Sequence, residues 1–259
     1  MRDNVRAFVE VASQTLPLGG PIFEFGSYLV EDQRGRGDLR QFFKGESFTG
    51  CDLRRGPGVD RVEDMSCLSF HDGAAQSILC LDTLEHVFDV RKSVDEMIRV
   101  LAPGGAMLVA VPMDFRIHEY PDDYWRLTPS CLMRLLEPLA GRVIGYQGLE
   151  SYPHTVFAIG MKAPIHPEMI RGIGRFIPAY QAWLDSQLEE MSLARRWKRL
   201  VNLTLRGKGI RQREQEMFRS HFVLDVPAEL AMSPALSLAG KQIPATAGRR
   251  VGHTPSDRG

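Results

Sequence analysis

A continuously apolar run of six residues, Ala106 to Val111 (AMLVAV), most constrains the fold of this chain. Such runs are typical of strands that are buried on both faces, as in the parallel sheets of α/β proteins. The run follows Ala102–Gly105 (APGG), whose proline and glycines predict the end of a helix over Val90–Leu101. In that helix, apolar residues recur at the 3.6-residue spacing of one face. A helix that leads into a buried strand indicates an α/β protein.

Other short apolar runs, bounded by turn residues, alternate with helical patterns as far as about residue 163. Thr128 and Pro129 have the pattern of a helix N-cap followed by proline at the first helical position. The last two strands have little sequence between them, which predicts an antiparallel hairpin. The sequence therefore predicts a Rossmann-like, doubly wound α/β sheet of seven strands closed by that hairpin. Strands are expected at Pro21–Phe25, Ser47–Asp52, Val59–Val62, Ser77–Leu81, Ala106–Val111, Arg142–Leu149 and Thr155–Met161, and further helices at Arg36–Lys44 and Thr128–Leu136.

The chain divides by its composition into three predicted regions. We expect a sheet domain over residues 1–163, a helical extension over 164–232 with helices within Ile177–Leu205, and a disordered tail over 233–259. Between Arg195 and Arg213 there are eight basic residues and no acidic one. A solvated helix face is the ordinary interpretation of such a stretch. Peripheral contact with anionic lipid or a phosphorylated acceptor is the alternative, because Trp197 and two leucines interleave with the charges.

The overall charge and the cysteines exclude several classes of protein. The 259 residues include 32 basic and 32 acidic side chains, so no global field favours nucleic acid as a partner. We expect no signal peptide, because the N-terminus lacks a basic flank followed by an apolar core. We expect no membrane-spanning segment, because no stretch approaches about 18 apolar residues. The four cysteines form no CxxC pair, and Cys51 and Cys80 lie in apolar runs typical of buried thiols. A cytoplasmic, reducing location is therefore expected.

The stretch after the first predicted strand begins like a nucleotide-binding turn and then departs from it. Glu24-Phe25-Gly26 is followed by residues 27–30 (SYLV) rather than by further glycines. A dinucleotide's pyrophosphate needs those glycines and a helix N-terminus, so a ligand without phosphate suits this turn better. Asp52 ends the second strand, where a carboxylate can accept the hydroxyls of a ribose, and Asp64 can accept from an adenine amino group. Acidic residues also often form turns after strands, but in this order they outline a nucleoside site.

Two motifs later in the chain resemble a known family. "SILCLDTLEHVFDVRKSVDEMIRVLAPGGAMLVAVP" is similar to the fourth strand, the L-E-H-V turn, the helix, the P-G-G loop and the fifth strand of class I S-adenosylmethionine-dependent methyltransferases of the small-molecule branch. "IHEYPDDYWRLTPSCLMRLL" resembles a subset that carries H-E-x-P-x-D-Y-W-R-x-T, several members of which act in glycan or cell-envelope pathways. The resemblance covers about residues 20–163. It implies S-adenosyl-L-methionine as the cofactor.

The resemblance also assigns cofactor contacts along the sheet. Ribose recognition falls to Asp52, adenine recognition to Asp64 and Met65, and the methionine moiety to the strand end at Leu81 and Asp82. Tyr28 and Val30 stand where the family usually has its second and third glycines, which some members of the subset also lack. The residues assigned to the cofactor are Glu24, Gly26, Ser27, Asp52, Asp64, Met65, Leu81 and Asp82.

The predicted acceptor side contains groups for acid–base chemistry and for binding a ring. His86 and His118 follow the fourth and fifth strands, and either is a candidate general base for a hydroxyl acceptor. The alternatives are a helix cap or backbone hydrogen bond for His86 and a structural loop bond for His118. Tyr124 and Trp125 offer flat faces, or simply pack the loop. Arg126 offers a fork for an anion, or ties the loop to Glu119 or Asp122.

We expect no metal, because His118, Glu119, Asp122 and Asp123 match no ligand spacing of defined geometry. The leading hypothesis is a methyltransferase that acts on a small-molecule or glycan-type acceptor, with oxygen as the expected methylated atom. A catalytically inactive methyltransferase-like binding or scaffold protein is the alternative, favoured by the replaced glycines. A nicotinamide-dependent oxidoreductase is a minor third, since its pyrophosphate needs those glycines. The oligomeric state is not determined by the sequence.

Overall fold

The computed structural model of the chain describes residues 1–30, 34–118, 122–189, 197, 201 and 218–231. Its strands are β1 (Ile22–Phe25), β2 (Phe48–Asp52), β3 (Arg61–Val62), β4 (Ala75–Leu81), β5 (Leu101–Pro112), β6 (Gly141–Leu149), β7 (Tyr152–Met161) and β8 (Ser220–Asp225). Its helices are α1 (Asp3–Thr15), α2 (Arg34–Gly37), α3 (Val90–Val100), α4 (Pro129–Leu135), α5 (Pro167–Glu189) and α6 (Ala228–Ala231). Two 3₁₀ turns lie at Arg40–Phe42 and Leu84–His86.

The strands form one sheet in the order β3-β2-β1-β4-β5-β7-β6-β8. Strands β1 to β5 are parallel to their neighbours, whereas β7 runs antiparallel between β5 and β6. The predicted doubly wound sheet with a closing hairpin is therefore confirmed. An eighth strand that the sequence analysis did not assign, β8, extends the sheet by antiparallel pairing with β6, from Arg142 opposite Asp225 to Gln147 opposite Ser220.

Helices cover both faces of the sheet, which explains the apolar run in β5. Leu108 and Ala110 belong to the core formed with α1 and α5, whereas Met107, Val109 and Val111 belong to the core formed with α3 and α4. Each successive side chain of a strand points to the opposite face, so a strand covered on both sides has no polar position. The sequence prediction for this strand is confirmed.

The capping predictions around α4 are also confirmed. The Thr128 side chain accepts a hydrogen bond from the Cys131 amide, and Pro129 occupies the first turn. Asp89 caps α3 in the same way by accepting from the Lys92 amide. Both caps satisfy amides that have no partner within the helix. They fix the starting points of the helices that follow the carboxyl ends of β4 and β5.

Two predicted elements differ from the structure. The helix expected over Arg36–Lys44 was wrong: α2 ends at Gly37, and after Asp38 there is only a 3₁₀ turn. Glycine disfavours helix formation. In addition, the Arg40 amide donates to the Asp38 side chain, so it is not available for a hydrogen bond to a carbonyl of a helix. The Ala102–Gly105 segment lies within β5 as an irregularity: Leu101 pairs with Ala75, and regular pairing resumes at Ala106.

The N-terminal helix and the extension pack together on one face. Phe8 of α1 stacks on Phe157, and its ring meets that of Tyr180 of α5 edge-on, with all three side chains buried. Helix α1 was not predicted, and α5 begins about ten residues before the predicted Ile177. Apart from residues 197 and 201, the basic stretch lies outside the described residues, as does the predicted tail from 233; the three-region division remains a prediction. No helix in the described part of the chain is long and apolar enough to span a membrane.

Candidate functional site

The carboxyl ends of β1, β2, β4 and β5 border one cleft of about 760 Å³. Ligands bind at this edge in open α/β sheets. Trp125 and Arg126, which the sequence analysis assigned to an acceptor, do not line this cleft. The predicted residues that do line it are Glu24, Gly26, Ser27, Asp52, Asp64, Met65, Leu81, Asp82, His86, His118 and Tyr124. Their individual roles remain predictions.

Gly26 makes the turn at the end of β1 and cannot readily be another residue. Its φ is +84°, and a β-carbon there would overlap Oγ1 of Thr83 and lie 2.7 Å from Cγ2 of the same side chain. Its amide donates to the carbonyl of Cys51 at 2.8 Å. The turn therefore passes directly over the end of β4, as a cofactor-binding turn requires.

No glycine follows Gly26 in this turn, but two glycines, Gly56 and Gly58, lie on the segment that packs against it. A β-carbon on Gly58, whose φ is also +84°, would overlap the Ser27 carbonyl oxygen and lie 2.8 Å from Cγ of Leu29. A β-carbon on Gly56 would overlap the ring of Tyr28. The Leu29 amide donates to the Pro57 carbonyl at 2.9 Å. The larger residues of the turn are thus accommodated by a Gly-Pro-Gly segment that follows β2.

The Asp52 carboxylate can accept more hydrogen bonds than it receives from the described part of the protein. One carboxylate oxygen accepts from the Arg54 amide at 2.9 Å and the other from the Tyr28 amide at 3.3 Å. Only 12% of the side chain is exposed. A carboxylate has about four lone-pair sites, so Asp52 can also accept ribose hydroxyls. Hydrogen bonds from Ser66 lower the pKa of Asp64, which keeps its carboxylate charged beside Met65.

Two buried polar groups near the turn have features of a binding site. The Ser27 hydroxyl is buried and has no hydrogen-bond partner among the described residues. Burial raises the pKa of Glu24 to about 8, only partly offset by the positive charge of Arg40. An unpaired buried hydroxyl is costly unless a ligand satisfies it. Together with the Gly26 turn and Asp52, these groups fit the adenosyl part of the predicted cofactor.

Arg2 enters the cleft, which the sequence analysis missed. It forms an ion pair with Asp82 at 2.5 Å and donates to Oγ1 of the buried Thr155 at 2.6 Å. Asp82 follows β4 with a positive φ of +49°, an uncommon conformation for a residue other than glycine. No local sequence signal indicated a contact between positions 2 and 82.

Glu85 is a second residue that the sequence analysis did not single out. Its side chain is fully buried in the 3₁₀ turn after β4, and both carboxylate oxygens lack a hydrogen-bond partner within the described part of the chain. Burial, reinforced by the charge of Asp82, raises its pKa to about 8. Its backbone carbonyl accepts from the amides of Tyr124 and Trp125 at 2.8 and 3.2 Å, which holds the loop over it. The sequence feature that could have identified Glu85 is its position directly before the candidate base His86.

The two candidate histidines lie side by side. Their ring centroids are 4.7 Å apart, in an edge-to-face arrangement. Nδ1 of His86 is 2.7 Å from the Asp122 carbonyl oxygen, and Nδ1 of His118 is 3.1 Å from Oδ2 of Asp123. Both acceptors require a donating Nδ1–H, which leaves each Nε2 with a lone pair. The structure thus brings together the groups that follow β4 and β5.

Asp123 and Arg126 fix the loop that carries His118. Nη1 and Nη2 of Arg126 donate to the two carboxylate oxygens of Asp123 at 2.6 and 2.8 Å. The same guanidinium donates to the carbonyl of Arg116. Its bonds to the carboxylate, together with the bond from the His118 amide, hold the pKa of Asp123 well below its usual range. A loop tie was one of the two interpretations of Arg126; among the described residues its partner is Asp123 and not Asp122, while Glu119 lies outside the described residues. Its role toward an acceptor remains a prediction.

Three aromatic side chains form an exposed group, and two of them, Phe88 and Tyr124, line the cleft. Phe88 is 72% exposed, and its ring lies 5.4 Å from Tyr124 and 6.3 Å from Trp125, centroid to centroid. Nε1 of Trp125 donates to the Val87 carbonyl at 3.0 Å, which fixes the indole. Phe88 was not singled out in the sequence. We call Phe88, Tyr124 and Trp125 the aromatic rim.

Comparison with known proteins gives one family match. Residues 40–109, from the 3₁₀ turn before β2 into β5, match the family model of a methyltransferase domain. No curated protein matches the sequence.

Several solved structures are similar to the chain. A SAM-dependent methyltransferase from Thermotoga maritima has 18% identity over 61% of this chain and 91% of its own, with a TM-score of 0.43. One from Methanosarcina mazei has 18% identity over 59% and 96%, with a TM-score of 0.44. The trans-methyltransferase CalH, solved in complex with SAH, has 16% identity over 62% and 56%, with a TM-score of 0.45.

Proposed function

We propose that the chain is a class I, S-adenosylmethionine-dependent methyltransferase and that it transfers the cofactor's methyl group to an oxygen atom of a small-molecule or glycan-type acceptor. The observation that carries the proposal is the pair His86 and His118, which lines the cleft with both Nδ1 atoms engaged by the protein. Each Nε2 is left to meet a hydroxyl. A hydroxyl gains from a base that takes up its proton as it becomes a nucleophile near neutral pH.

The cofactor would be held at the β1–β2 side of the cleft. Asp52 would accept the ribose hydroxyls, Asp64 and Met65 would contact the adenine, and the strand end at Leu81 and Asp82 would lie along the methionine moiety. When bound, the cofactor supplies an electrophilic methyl group on a sulfonium. The protein's main contribution is to align acceptor and cofactor, since positioning alone supplies much of the acceleration of a displacement.

His118 is the stronger candidate for the base. Nε2 would accept the proton of the acceptor hydroxyl, while Nδ1–H donates to Asp123. A carboxylate in this position fixes the tautomer and stabilises the imidazolium that forms. Because Arg126 keeps Asp123 charged, this support persists across the neutral range. His86, whose Nδ1 is held by the Asp122 carbonyl, also presents an acceptor Nε2, so it would accept from a second hydroxyl of the acceptor molecule.

The aromatic rim supports a sugar or another ring as the acceptor. Exposed aromatic faces beside a cleft bind flat, partly apolar ligands while leaving hydroxyls free to hydrogen-bond. Phe88 and Trp125 are the more favourable partners, because Trp125 is fixed through Nε1 and Phe88 is largely exposed. The scaffold alternative is weakened because Gly56 and Gly58 make room for the turn whose missing glycines suggested it.

The test is a methyl-transfer assay with radiolabelled S-adenosylmethionine and separate pools of sugars, nucleotide sugars and phenols. We expect S-adenosylhomocysteine to form in step with an O-methylated product. His118→Gln should lower kcat by about 10²–10⁴-fold, and Trp125→Ala should raise KM for the acceptor. The matched control is His71→Gln, since His71 is exposed and contacts the Asp72 carbonyl away from the cleft. Methylation only at nitrogen or carbon, or equal loss in the control, would contradict the proposal.

A further inference from the structure

We infer that Glu85, His86 and His118 form a binding site for one divalent transition-metal ion at the acceptor end of the cleft. One potential ligand atom from each residue lies within 4.8 Å of the other two. All three residues line the cleft, so an ion there would be reachable from solvent and by an acceptor. Two imidazoles and one carboxylate are the donor set of catalytic zinc sites and of mononuclear non-haem iron sites, which keep positions open for water or substrate.

Of the three residues, Glu85 provides the strongest indication that a ligand binds at this site. Its side chain is completely buried, and neither carboxylate oxygen has a hydrogen-bond partner in the described ranges of the chain. A buried carboxyl without hydrogen bonds is rare unless something else satisfies it. Oε1 lies 3.9 Å from Nε2 of His86. The unpaired oxygen therefore faces the one atom of His86 that is not already bonded to the protein.

Both imidazoles have the outer contacts that are usual for metal-binding histidines. Nδ1 of His86 donates to the Asp122 carbonyl, and Nδ1 of His118 donates to the Asp123 carboxylate. Such partners fix the tautomer that offers Nε2 to an ion and raise the basicity of the ring. Arg126 in turn holds Asp123 by two hydrogen bonds. Two histidines arranged in this way, beside an unpaired carboxyl, are expected of a site built to receive a cation.

The spacing needs only a small adjustment. Ligand atoms at about 2.0–2.2 Å from one ion lie about 3–4 Å apart, depending on their angle at the ion. The observed atoms lie within 4.8 Å, so side-chain rotations that bring them together by about an ångström would complete the site. The exposed edges of His86 and His118 leave room for these rotations, since 22% and 25% of the two side chains are accessible.

This set of ligands differs from the acidic cluster around His118, in which the sequence analysis found no metal-ligand spacing. That set combined His118 with three acidic residues of the same loop, whereas the present set takes two members from the turn after β4. Mg²⁺ and Ca²⁺ prefer oxygen ligands, so two imidazole nitrogens favour a transition metal instead. The fold brings the two segments together because β4 and β5 are adjacent parallel strands whose carboxyl ends meet.

The ion would change how the acceptor hydroxyl is activated. A metal-bound hydroxyl ionises at lower pH, so the ion would take over the activation that the proposed function assigns to His118 as a base. This consequence rests on the proposed function, whereas the ion site itself does not. Binding of the ion can therefore be measured with no acceptor and no methyl transfer.

The test is a calorimetric titration of the full chain with ZnCl₂ after chelator treatment and dialysis. We expect one ion per chain with micromolar or tighter affinity. Glu85→Gln and His118→Gln should each weaken binding at least about tenfold, while His71→Gln should leave it unchanged. Glu85→Gln keeps the shape of the side chain and introduces no charge. Retained S-adenosylhomocysteine binding shows that each variant is folded.

A Co²⁺ titration gives an independent spectroscopic readout. We expect visible absorption bands of a low-symmetry Co²⁺ site in the native chain and in His71→Gln, and their loss in Glu85→Gln. An absence of stoichiometric Zn²⁺ binding, or binding that is equal in the native chain and Glu85→Gln, would overturn the inference. That result would leave His118 as the base of the proposed function. A protein that binds Zn²⁺ but methylates no hydroxyl would instead overturn the proposed function alone.

Discussion

Arg2 and Asp82 form an ion pair within the cleft, with Nη2 of Arg2 2.5 Å from Oδ1 of Asp82. Both side chains are mostly buried, at 17% and 18% exposure, and Arg2 also donates to Thr155. The pair joins the residue that precedes α1 to the residue that follows β4. It therefore fixes the N-terminal segment beside the strand end assigned to the methionine moiety.

Replacing Arg2 by alanine should destabilise the protein. Asp82 would lose its counter-charge in a partly buried position, so we expect Arg2→Ala to lower the free energy of unfolding by about 1–3 kcal/mol. Arg91→Ala is the matched control, because its pair with Asp95 is 61% and 50% exposed. Exposed pairs of this kind contribute about 0.5 kcal/mol or less. Urea unfolding measures both; equal losses would contradict the importance assigned to the Arg2 contact.

Gly26 should not tolerate a side chain. Gly26→Ala combines a positive φ with overlap of Thr83, so we expect it to lower the free energy of unfolding by more than about 2 kcal/mol and to weaken cofactor binding. In Gly45→Ala, φ is +90° but nothing lies within 4 Å of the added carbon. That control should lose only the backbone term of about 1 kcal/mol. Thermal unfolding of the two variants measures the difference. An equal loss of stability in both would show that the close contact between Gly26 and Thr83 is unimportant.

The buried Glu24 predicts a pH dependence of stability. Its pKa is about 8 in the folded protein against an ordinary value of 4.5, so between these values the folded protein holds a proton that the unfolded chain releases. The free energy of unfolding should therefore fall as pH rises from about 4.5 to 8, by at most about 1.4 kcal/mol per pH unit from this group.

Glu24→Gln removes this contribution because it is neutral at every pH. The free energy of unfolding of Glu24→Gln, relative to that of the native chain, should rise between pH 5 and pH 8 and then stay constant. The similarly raised pKa of Glu85 affects both proteins alike. Thermal unfolding at pH 5, 6.5, 8 and 9 measures the difference, and an advantage that does not change with pH would be inconsistent with a buried, protonated Glu24.

The strands were predictable where burial on two faces leaves no polar residue. Ala106–Val111 is such a case, and the caps Thr128 and Asp89 act through contacts three residues away, within reach of a local pattern. Helix α1 also has a local signal, since Val5, Phe8, Val9 and Ala12 repeat on one helical face and are buried. It could have been predicted from the 3.6-residue spacing alone.

The parts of the site that were missed depend on contacts between distant segments. Arg2 reaches Asp82, 80 residues away, and nothing in either neighbourhood indicates this. The backbone carbonyl of Glu85 accepts from the amides of Tyr124 and Trp125, about 40 residues further along the chain. Strand β8 pairs with β6 between positions that are 73 to 83 residues apart, and its six residues carry no distinctive pattern. Local spacing does not encode such tertiary contacts.

The most direct test of the account is a calorimetric titration of the full chain with S-adenosylmethionine and with S-adenosylhomocysteine. We predict micromolar binding of both by the native chain, a loss of about 10–100-fold in Asp52→Ala, where charged hydrogen bonds to the ribose are removed, and no change in Asp95→Ala, which alters an exposed carboxylate on α3. A folded native chain that binds neither ligand would contradict the central claim that the turn at Gly26 forms a cofactor site without the usual glycines.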